Sequence, residues 1–164
     1  MKIKFSSLIA MLFWMYFTSC SKGDDKIWDF APIDIGITVS DKNGNDLLNP
    51  NKESSICKNG IKAIYKGEEY ELNFKSSRYY MPTFYGLRLV KNTEGRYMLL
   101  FGEFDRAKNH EALEVSIDWN DGSAKDDIIL KHSFEMVKKR PVFRTLIFLN
   151  GEYIGEKSIL GIVK

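Results

Sequence analysis

The chain has 164 residues, of which 44% are hydrophobic and 28% charged, and its formal net charge is +2. These values exclude a collagen-like, low-complexity or strongly disordered protein, and the length suits a single domain. Residues 1–19 carry two of the 24 basic residues and none of the 22 acidic ones. The rest of the chain is therefore formally neutral, and its charge balance argues against a nucleic-acid partner.

The chain begins with a short basic head and an apolar run. Lys2 and Lys4 precede residues 5–17, a run of 13 residues that only Ser6 and Ser7 interrupt. A membrane-spanning helix needs about 20 apolar residues, so this run is too short to cross a bilayer. A basic head followed by a short apolar stretch is typical of a secretory signal, and we predict that residues 1–19 are a signal peptide.

The end of this segment, Phe17-Thr18-Ser19-Cys20, resembles the lipobox of bacterial lipoproteins. In that class the cysteine becomes the first residue of the mature protein and carries lipid on its sulfur and its amine. The resemblance implies a lipoprotein signal peptide over 1–19 and lipidation at Cys20, which would attach the protein to a membrane. Several acyl chains meet the requirement that stable anchoring needs more than one. An ordinary signal peptide with a coincidental cysteine is the alternative.

A polar, acidic segment, residues 21–25, follows Cys20 and is too hydrophilic to pack against a core. We predict that residues 20–30 comprise the lipidated cysteine and a tether. The segment resembles the acidic export signal of Bacteroidetes-type surface lipoproteins, which implies a lipid-anchored outer-membrane protein that faces the cell exterior. An anchor that faces the periplasm is the alternative, because a plain solvated linker has the same composition.

From residue 31 onward, apolar and polar residues alternate with the period of two that is typical of half-buried strands. Turn residues separate the alternating segments, and Asn150-Gly151 is the strongest hairpin signal among them. The pattern predicts eight or nine strands, within residues 33–39, 61–65, 70–74, 85–90, 97–104, 113–119, 128–136, 142–149 and 158–163.

So many strands in one open sheet would leave a face or long edges exposed, whereas two packed sheets bury both inner faces. We therefore predict an all-β protein in which residues 31–164 form one antiparallel two-sheet β-sandwich. This sandwich is immunoglobulin-like in the broad sense. A closed β-barrel is the alternative.

Several polar motifs are predicted to be structural. Cys57 has no disulfide partner once Cys20 is lipidated, and we predict a buried or half-buried small residue rather than a catalytic thiol. Residues 41–46 begin like a calcium loop but lack the glycine and glutamate that an EF-hand requires, so we predict a turn. Residues 118–127 are also acidic, and because Asn120-Asp121-Gly122-Ser123 is turn chemistry we predict a hairpin turn, with a hard-cation site built from these carboxylates as the alternative. No cofactor or metal is predicted.

The two histidines differ in context. His110 lies in a polar stretch, 105–111, that contains Asp105 and Glu111 but no recognised metal spacing. We interpret this stretch as a polar loop. His132 shares a strand face with Leu130 and Phe134, which favours a packed, hydrogen-bonded histidine.

The segment 78–85 is rich in aromatic side chains and contains Pro82, which excludes an ordinary central strand. Aromatic and arginine side chains dominate the energetics of binding surfaces. This segment is therefore the predicted ligand-binding site for a glycan or a partner protein, although aromatic residues of the core at a sheet corner are the alternative. The candidate residues are Arg78, Tyr79, Tyr80, Phe84 and Tyr85.

A second resemblance covers most of the mature chain. Residues 34–39, 43–50, 81–87 and 117–123 resemble motifs of a group of uncharacterised surface lipoproteins. The resemblance implies a β-sandwich on the cell surface, and it transfers no catalytic residue.

Three functions remain open. The first is a non-catalytic, lipid-anchored module that binds a glycan or an envelope protein. The second is a small hydrolase of envelope or dietary polymers, which requires paired carboxylates or a histidine–acid cluster around 105–111. The third is a structural subunit of a surface assembly, which requires an exposed sheet edge that another chain can complete. We expect the first, and therefore no enzyme, because the sequence has no nucleophile elbow, P-loop or dinucleotide fingerprint.

Overall fold

The computed structural model describes residues 28–73 and 86–164. The predicted signal peptide, Cys20, most of the tether and the ligand-binding candidates Arg78, Tyr79, Tyr80, Phe84 and Tyr85 lie outside these residues. The described chain contains ten strands and one short 3₁₀ helix, Ile56–Asn59. The strands are β1 (Ile33–Ser40), β2 (Lys62–Tyr65), β3 (Glu68–Glu71), β4 (Leu87–Lys91), β5 (Tyr97–Phe104), β6 (His110–Asp118), β7 (Asp126–Val137), β8 (Arg140–Leu149), β9 (Glu152–Gly155) and β10 (Ile159–Val163).

The strands form two packed sheets, which confirms the predicted β-sandwich. The smaller sheet has the order β10-β1-β5-β4, and the larger has the order β3-β2-β6-β7-β8-β9. All strand pairs are antiparallel except β1 with β10, which run parallel. Each sheet ends in edge strands within the described residues, so the closed barrel does not apply. In the same part of the chain, no helix combines the length and hydrophobicity needed to cross a bilayer.

The core lies between the sheets, and the alternation seen in the sequence explains which residues fill it. Along β1 the side chains of Ile33, Ile35, Ile37 and Val39 are all buried, as predicted. The larger sheet contributes every second residue of its central strands to the same core. These residues are Leu113, Val115, Ile117, Ile128, Leu130 and Ile147.

Three two-residue turns join neighbouring strands of the larger sheet. Both central residues of each turn have positive φ: 53° and 80° at Lys66-Gly67, 50° and 62° at Lys138-Lys139, and 51° and 84° at Asn150-Gly151. Positive φ at both positions is the type I′ geometry that suits the twist of a hairpin. The predicted Asn150-Gly151 hairpin is confirmed, and it adds β9. Strand β8 begins at Arg140, directly after the Lys138-Lys139 turn.

Cys57 is buried in the 3₁₀ helix, as predicted, and its Sγ lies 3.1 Å from the carbonyl oxygen of Leu48. Burial raises the pKa of the Cys57 thiol, which keeps it protonated and unreactive. This cysteine therefore packs as a small apolar residue.

Candidate functional site

The turn that connects β5 to β6, residues 105–109, organises one end of the sandwich. Its first residue holds it in place, because Oδ1 of Asp105 accepts a hydrogen bond from the Ala107 amide at 2.9 Å. That bond, and Lys108 Nζ at 3.3 Å from the second carboxylate oxygen, lower the pKa of Asp105. The Asp105 carboxylate is thus committed to the turn itself.

His110 and Glu111 lie in strand β6, so the prediction of a polar loop through 111 was wrong. The loop ends at Asn109, and His110 pairs with His132 across β6 and β7. Nε2 of His110 lies 2.8 Å from the carbonyl oxygen of Asp105. A bulge between His110 and Leu113 interrupts the alternation, which is why the pattern did not identify the start of this strand.

His132 is buried and hydrogen-bonded, as predicted. Its Nε2 lies 3.0 Å from the carbonyl oxygen of Arg106, and its Nδ1 lies 2.9 Å from Thr145 Oγ1. Because a carbonyl can only accept, Nε2 carries the proton and Nδ1 accepts from the hydroxyl of Thr145. Burial lowers the pKa of His132, so the ring is neutral. Through its two hydrogen bonds the ring links the turn at Arg106 to Thr145 in β8.

Aromatic rings continue from His132 toward the N-terminal end of the described chain. The Phe143 ring stacks 5.9 Å from His132 and 5.5 Å from Phe134, and Phe30 meets Phe143 edge-on at 5.0 Å. Trp28 stacks on Phe30 at 6.2 Å. Phe30, the last residue of the predicted tether, therefore contacts the sandwich directly.

Two open clefts adjoin His110 at this end of the larger sheet. The β6 cleft, of about 690 Å³, is lined by both apolar and polar residues, and its polar part comprises Tyr65, Lys66, His110, Glu111, Glu114 and Ser116. The β8 cleft, of about 480 Å³, lies across β7 and β8 and is lined by Asn109, His110, Lys131, Ser133, Arg144 and Leu146. Both signs of charge and several neutral donors and acceptors thus face the same open surface.

An aromatic platform, defined as Phe148, Tyr153 and the overlying Lys131, lies beside the β8 cleft. The rings of Phe148 and Tyr153 are 5.6 Å apart, and Nζ of Lys131 is 5.3 Å from the centre of the Phe148 ring. Tyr153 is 55% exposed. Phe148 and Tyr153 are directly opposed across the β8–β9 hairpin, so both rings stand on one face.

Sequence reasoning did not single out this platform, although a signal for it existed. A two-residue turn at Asn150-Gly151 fixes the register, so that Phe148 must face Tyr153. The alternation along β8 further places Phe148 opposite to Ile147, whose buried side chain faces the core. Combining the two patterns gives two aromatic residues on the outer face.

A third cleft, of about 350 Å³, lies on the other side of β8 and is called the inner cleft below. Its wall includes Arg106, Phe143, Thr145, Glu156, Lys157 and Ser158. Strand alternation explains the division, because Phe143 and Thr145 face inward while Arg144 and Leu146 face outward. An ion pair between Arg144 and Glu156, at 3.8 Å, connects the β8 cleft to the inner cleft.

The acidic motifs form turns, as predicted. Asp41 accepts hydrogen bonds from the amides of Asn43 and Asn45, which caps the turn after β1. Asp121 is bonded to Lys164 at 2.6 Å, and these contacts lower its pKa strongly. No group of three or more His, Cys, Asp or Glu side chains is positioned to hold a metal ion within residues 28–73 and 86–164.

The acids near His110 do not form a compact pair with it. Glu111 and Glu114 both line the β6 cleft, but both are exposed to solvent. Asp105 is occupied by Ala107 and Lys108, and its carbonyl rather than its carboxylate meets His110. This arrangement gives no observation in favour of hydrolysis.

Comparison with known proteins does not extend these observations: no protein-family model matches the chain, and neither a curated protein nor a solved structure is significantly similar to it.

Proposed function

We propose that this protein is a lipid-anchored cell-surface module that binds glycans on the outer face of its larger sheet. The anchor rests on the sequence: the basic head, the short apolar run and Phe17-Thr18-Ser19-Cys20. The binding function rests on the aromatic platform beside the β8 cleft. The segment 78–85 remains a predicted contributor.

The chemistry of a sugar explains the choice of ligand. A pyranose ring has an apolar C–H face and a rim of hydroxyl groups, so it pairs with a flat aromatic surface bordered by polar side chains. Phe148 and Tyr153 provide the rings. Lys131 and Arg144 provide donors in the adjoining cleft. Aromatic rings that stay exposed are the anchors that carry most binding energy at such surfaces.

The β8 cleft has the volume of a ligand-binding cleft, and it is open at the surface, as a site for a polymer must be. Small-molecule clefts have volumes of about 300–1,000 Å³, and the β8 cleft falls within that range. The cleft and the platform follow one another across β7, β8 and β9, so several sugar units of a chain have room on the surface.

The test is glycan-array binding of the full-length protein in detergent, followed by titration calorimetry with the strongest binder. Tyr153→Ala should weaken binding roughly tenfold, because losing one stacked ring costs about 1–2 kcal/mol. Lys131→Ala should weaken it less, since it removes a cation but leaves both rings.

Lys91 and Tyr97 provide a matched control on the smaller sheet. There too the lysine Nζ lies 5.3 Å from the centre of the aromatic ring. Lys91→Ala should leave glycan affinity unchanged. Affinity that survives Tyr153→Ala, or falls equally with Lys91→Ala, would reject the platform as the site. An array on which no glycan binds would reject the proposed function.

The anchor has an independent test. Cys20→Ala should abolish incorporation of labelled palmitate and release the protein from the membrane fraction, with Cys57→Ala as the control that keeps both properties. Protease accessibility of the protein on intact cells would then decide between display on the exterior and an anchor facing the periplasm. Membrane attachment that persists in Cys20→Ala would refute lipidation at this residue.

The role of structural subunit has one observation in its favour, the edge strand β10. It pairs with β1 on one side, and Ile159 and Val163 are 53% and 66% exposed. An apolar edge strand is a template for another strand. If the edge joins copies of the chain, wild-type protein should form cross-linked dimers that Ile159→Lys abolishes. A monomer at all concentrations would discount this role.

A further inference from the structure

Arg106 has an unusual environment in the inner cleft. Its guanidinium lies 5.5 Å from the centre of the Phe143 ring, and its Nε is buried without a hydrogen-bond partner. Across residues 28–73 and 86–164, no carboxylate lies within ion-pair distance of this guanidinium. Arg106 lines the inner cleft, so a ligand in this cleft can supply the negative charge that the described chain does not place beside the guanidinium.

Two acids lie near Arg106, one in the adjoining stretch of the chain and one in the wall of the cleft, and both are paired with other cations. The Asp105 carboxylate binds Lys108 and the Ala107 amide. Glu156 lines the inner cleft, but its Oε1 lies 3.8 Å from Arg144 on the outer side of β8. Lys157 lines the cleft as well, and the described chain gives it no ion pair. The cleft therefore holds two cations and one carboxylate that already has a partner.

The position of Arg106 is fixed before any ligand arrives. Its backbone carbonyl accepts a hydrogen bond from His132 of β7, which holds the backbone of Arg106 in place. The guanidinium lies over the ring of Phe143. A pre-positioned arginine loses little conformational entropy when it binds and offers a carboxylate two parallel hydrogen bonds. The ring of Phe143 and the side chain of Ile33 supply an apolar wall beside this charge.

We infer that the inner cleft binds the carboxylate of an acidic sugar, with Arg106 as its principal contact and Lys157 as a second cation. The inference rests on the proposed glycan-binding function and specifies its ligand class: a glycan that contains uronic acid units. The Arg144–Glu156 ion pair lies between the β8 cleft and the inner cleft, so one glycan chain could occupy both. Ser158 offers a hydroxyl to the same sugar unit.

The experiment compares oligogalacturonate with its methyl ester, using the full chain in detergent. The two probes share the sugar backbone and differ in the negative charge of the carboxylate. We expect the acid to bind roughly 10- to 100-fold more tightly than the ester, the range for one charge-assisted contact. A glycan array containing neutral and uronic acid glycans is run in parallel.

Arg106→Gln removes the charge and keeps a side chain of similar reach, so it should remove most of the preference for the acid and leave only the part that Lys157 contributes. Arg140→Gln makes the same change of charge on β8, outside the cleft, and should keep the preference. Thermal unfolding of both variants verifies that they are folded. If Arg106→Gln does not fold, Lys157→Gln is tested in its place. It should reduce the preference for the acid over the ester in part.

Two failures can be told apart. Binding of neutral glycans without any preference for uronic acids, or a preference that Arg106→Gln leaves undiminished, overturns the role of Arg106 and leaves the proposed function standing. Absence of all glycan binding overturns both.

Discussion

The turn between β7 and β8 should be a source of strain that substitution can relieve. Its two residues, Lys138 and Lys139, have φ of 50° and 62°, whereas the corresponding turn Asn150-Gly151 has φ of 51° and 84°. The left-handed region costs an ordinary residue about 1–2 kcal/mol, and asparagine and glycine occupy it with little penalty. The hairpin keeps this turn because ten residue pairs join β7 to β8.

The double substitution Lys138→Asn with Lys139→Gly should therefore stabilise the protein. Relief of strain at the two positions gains about 2 kcal/mol, and the greater freedom of glycine in the unfolded chain costs about 0.5–1 kcal/mol. The expected net gain is about 1 kcal/mol, which raises Tm by about 3 °C for a domain of this size. Urea unfolding and calorimetry of the wild type and the variant measure both quantities.

Lys52→Gly is the matched control. Lys52 is an exposed turn residue without positive φ, so its replacement adds flexibility to the unfolded chain and relieves no strain. It should destabilise by about 0.5–1 kcal/mol. A double variant that is no more stable than the wild type, beside a control that behaves as expected, would refute the strain argument.

Three further predictions concern the core and the buried polar groups. Leu130→Ala should lower the free energy of unfolding, measured in urea, by about 2–5 kcal/mol because Leu130 is fully buried. Leu146 is half-buried on the outer face, and Leu146→Ala should lower the free energy of unfolding by less than about 1 kcal/mol. Trp119→Phe should cost about 2 kcal/mol, since it removes the 2.7 Å hydrogen bond from Nε1 to Asp126, and an unchanged midpoint would show that this bond is not stabilising. The pKa of His132 in the folded protein is lowered below its ordinary value of 6.5. Above pH 6.5 the histidine is neutral in both the folded and the unfolded chain, so this group does not change the free energy of unfolding. As the pH falls below 6.5 the unfolded chain binds the proton first, so the free energy of unfolding should decrease. His132→Gln keeps a donor and an acceptor and should lose less stability than the wild type between pH 7.5 and 5; equal losses would assign the pH dependence to other groups.

Much of the fold was predictable because strand alternation and turn residues are local patterns in the sequence. Alternation along β1 identified its buried face, and Asn150-Gly151 identified a hairpin. The start of β6 was missed because the bulge after His110 breaks the period of two. The parallel pairing of β1 with β10 was not predictable either, since pairing between distant segments leaves no local signature.

The candidate site was less accessible to sequence reasoning than the fold. Phe148 and Tyr153 are ordinary strand residues in the sequence, and only their common outward face makes them a platform. Arg106 looks like any polar residue of a turn. Its isolation from carboxylates becomes visible only when Phe143 and His132 are placed beside it.

The sequence by itself determined the strand content, the buried faces and the neutral charge of the chain after residue 19, because these depend on residue types and their spacing. It also supplied the prediction of a lipid anchor, which depends on the linear motif at Cys20. Tertiary structure alone decided which strands belong to each sheet, the direction in which β10 joins β1, and the meeting of Arg106, Phe143 and Lys157 in one cleft. Those features join segments far apart in the chain, and the free energy that selects them arises only when the sheets pack.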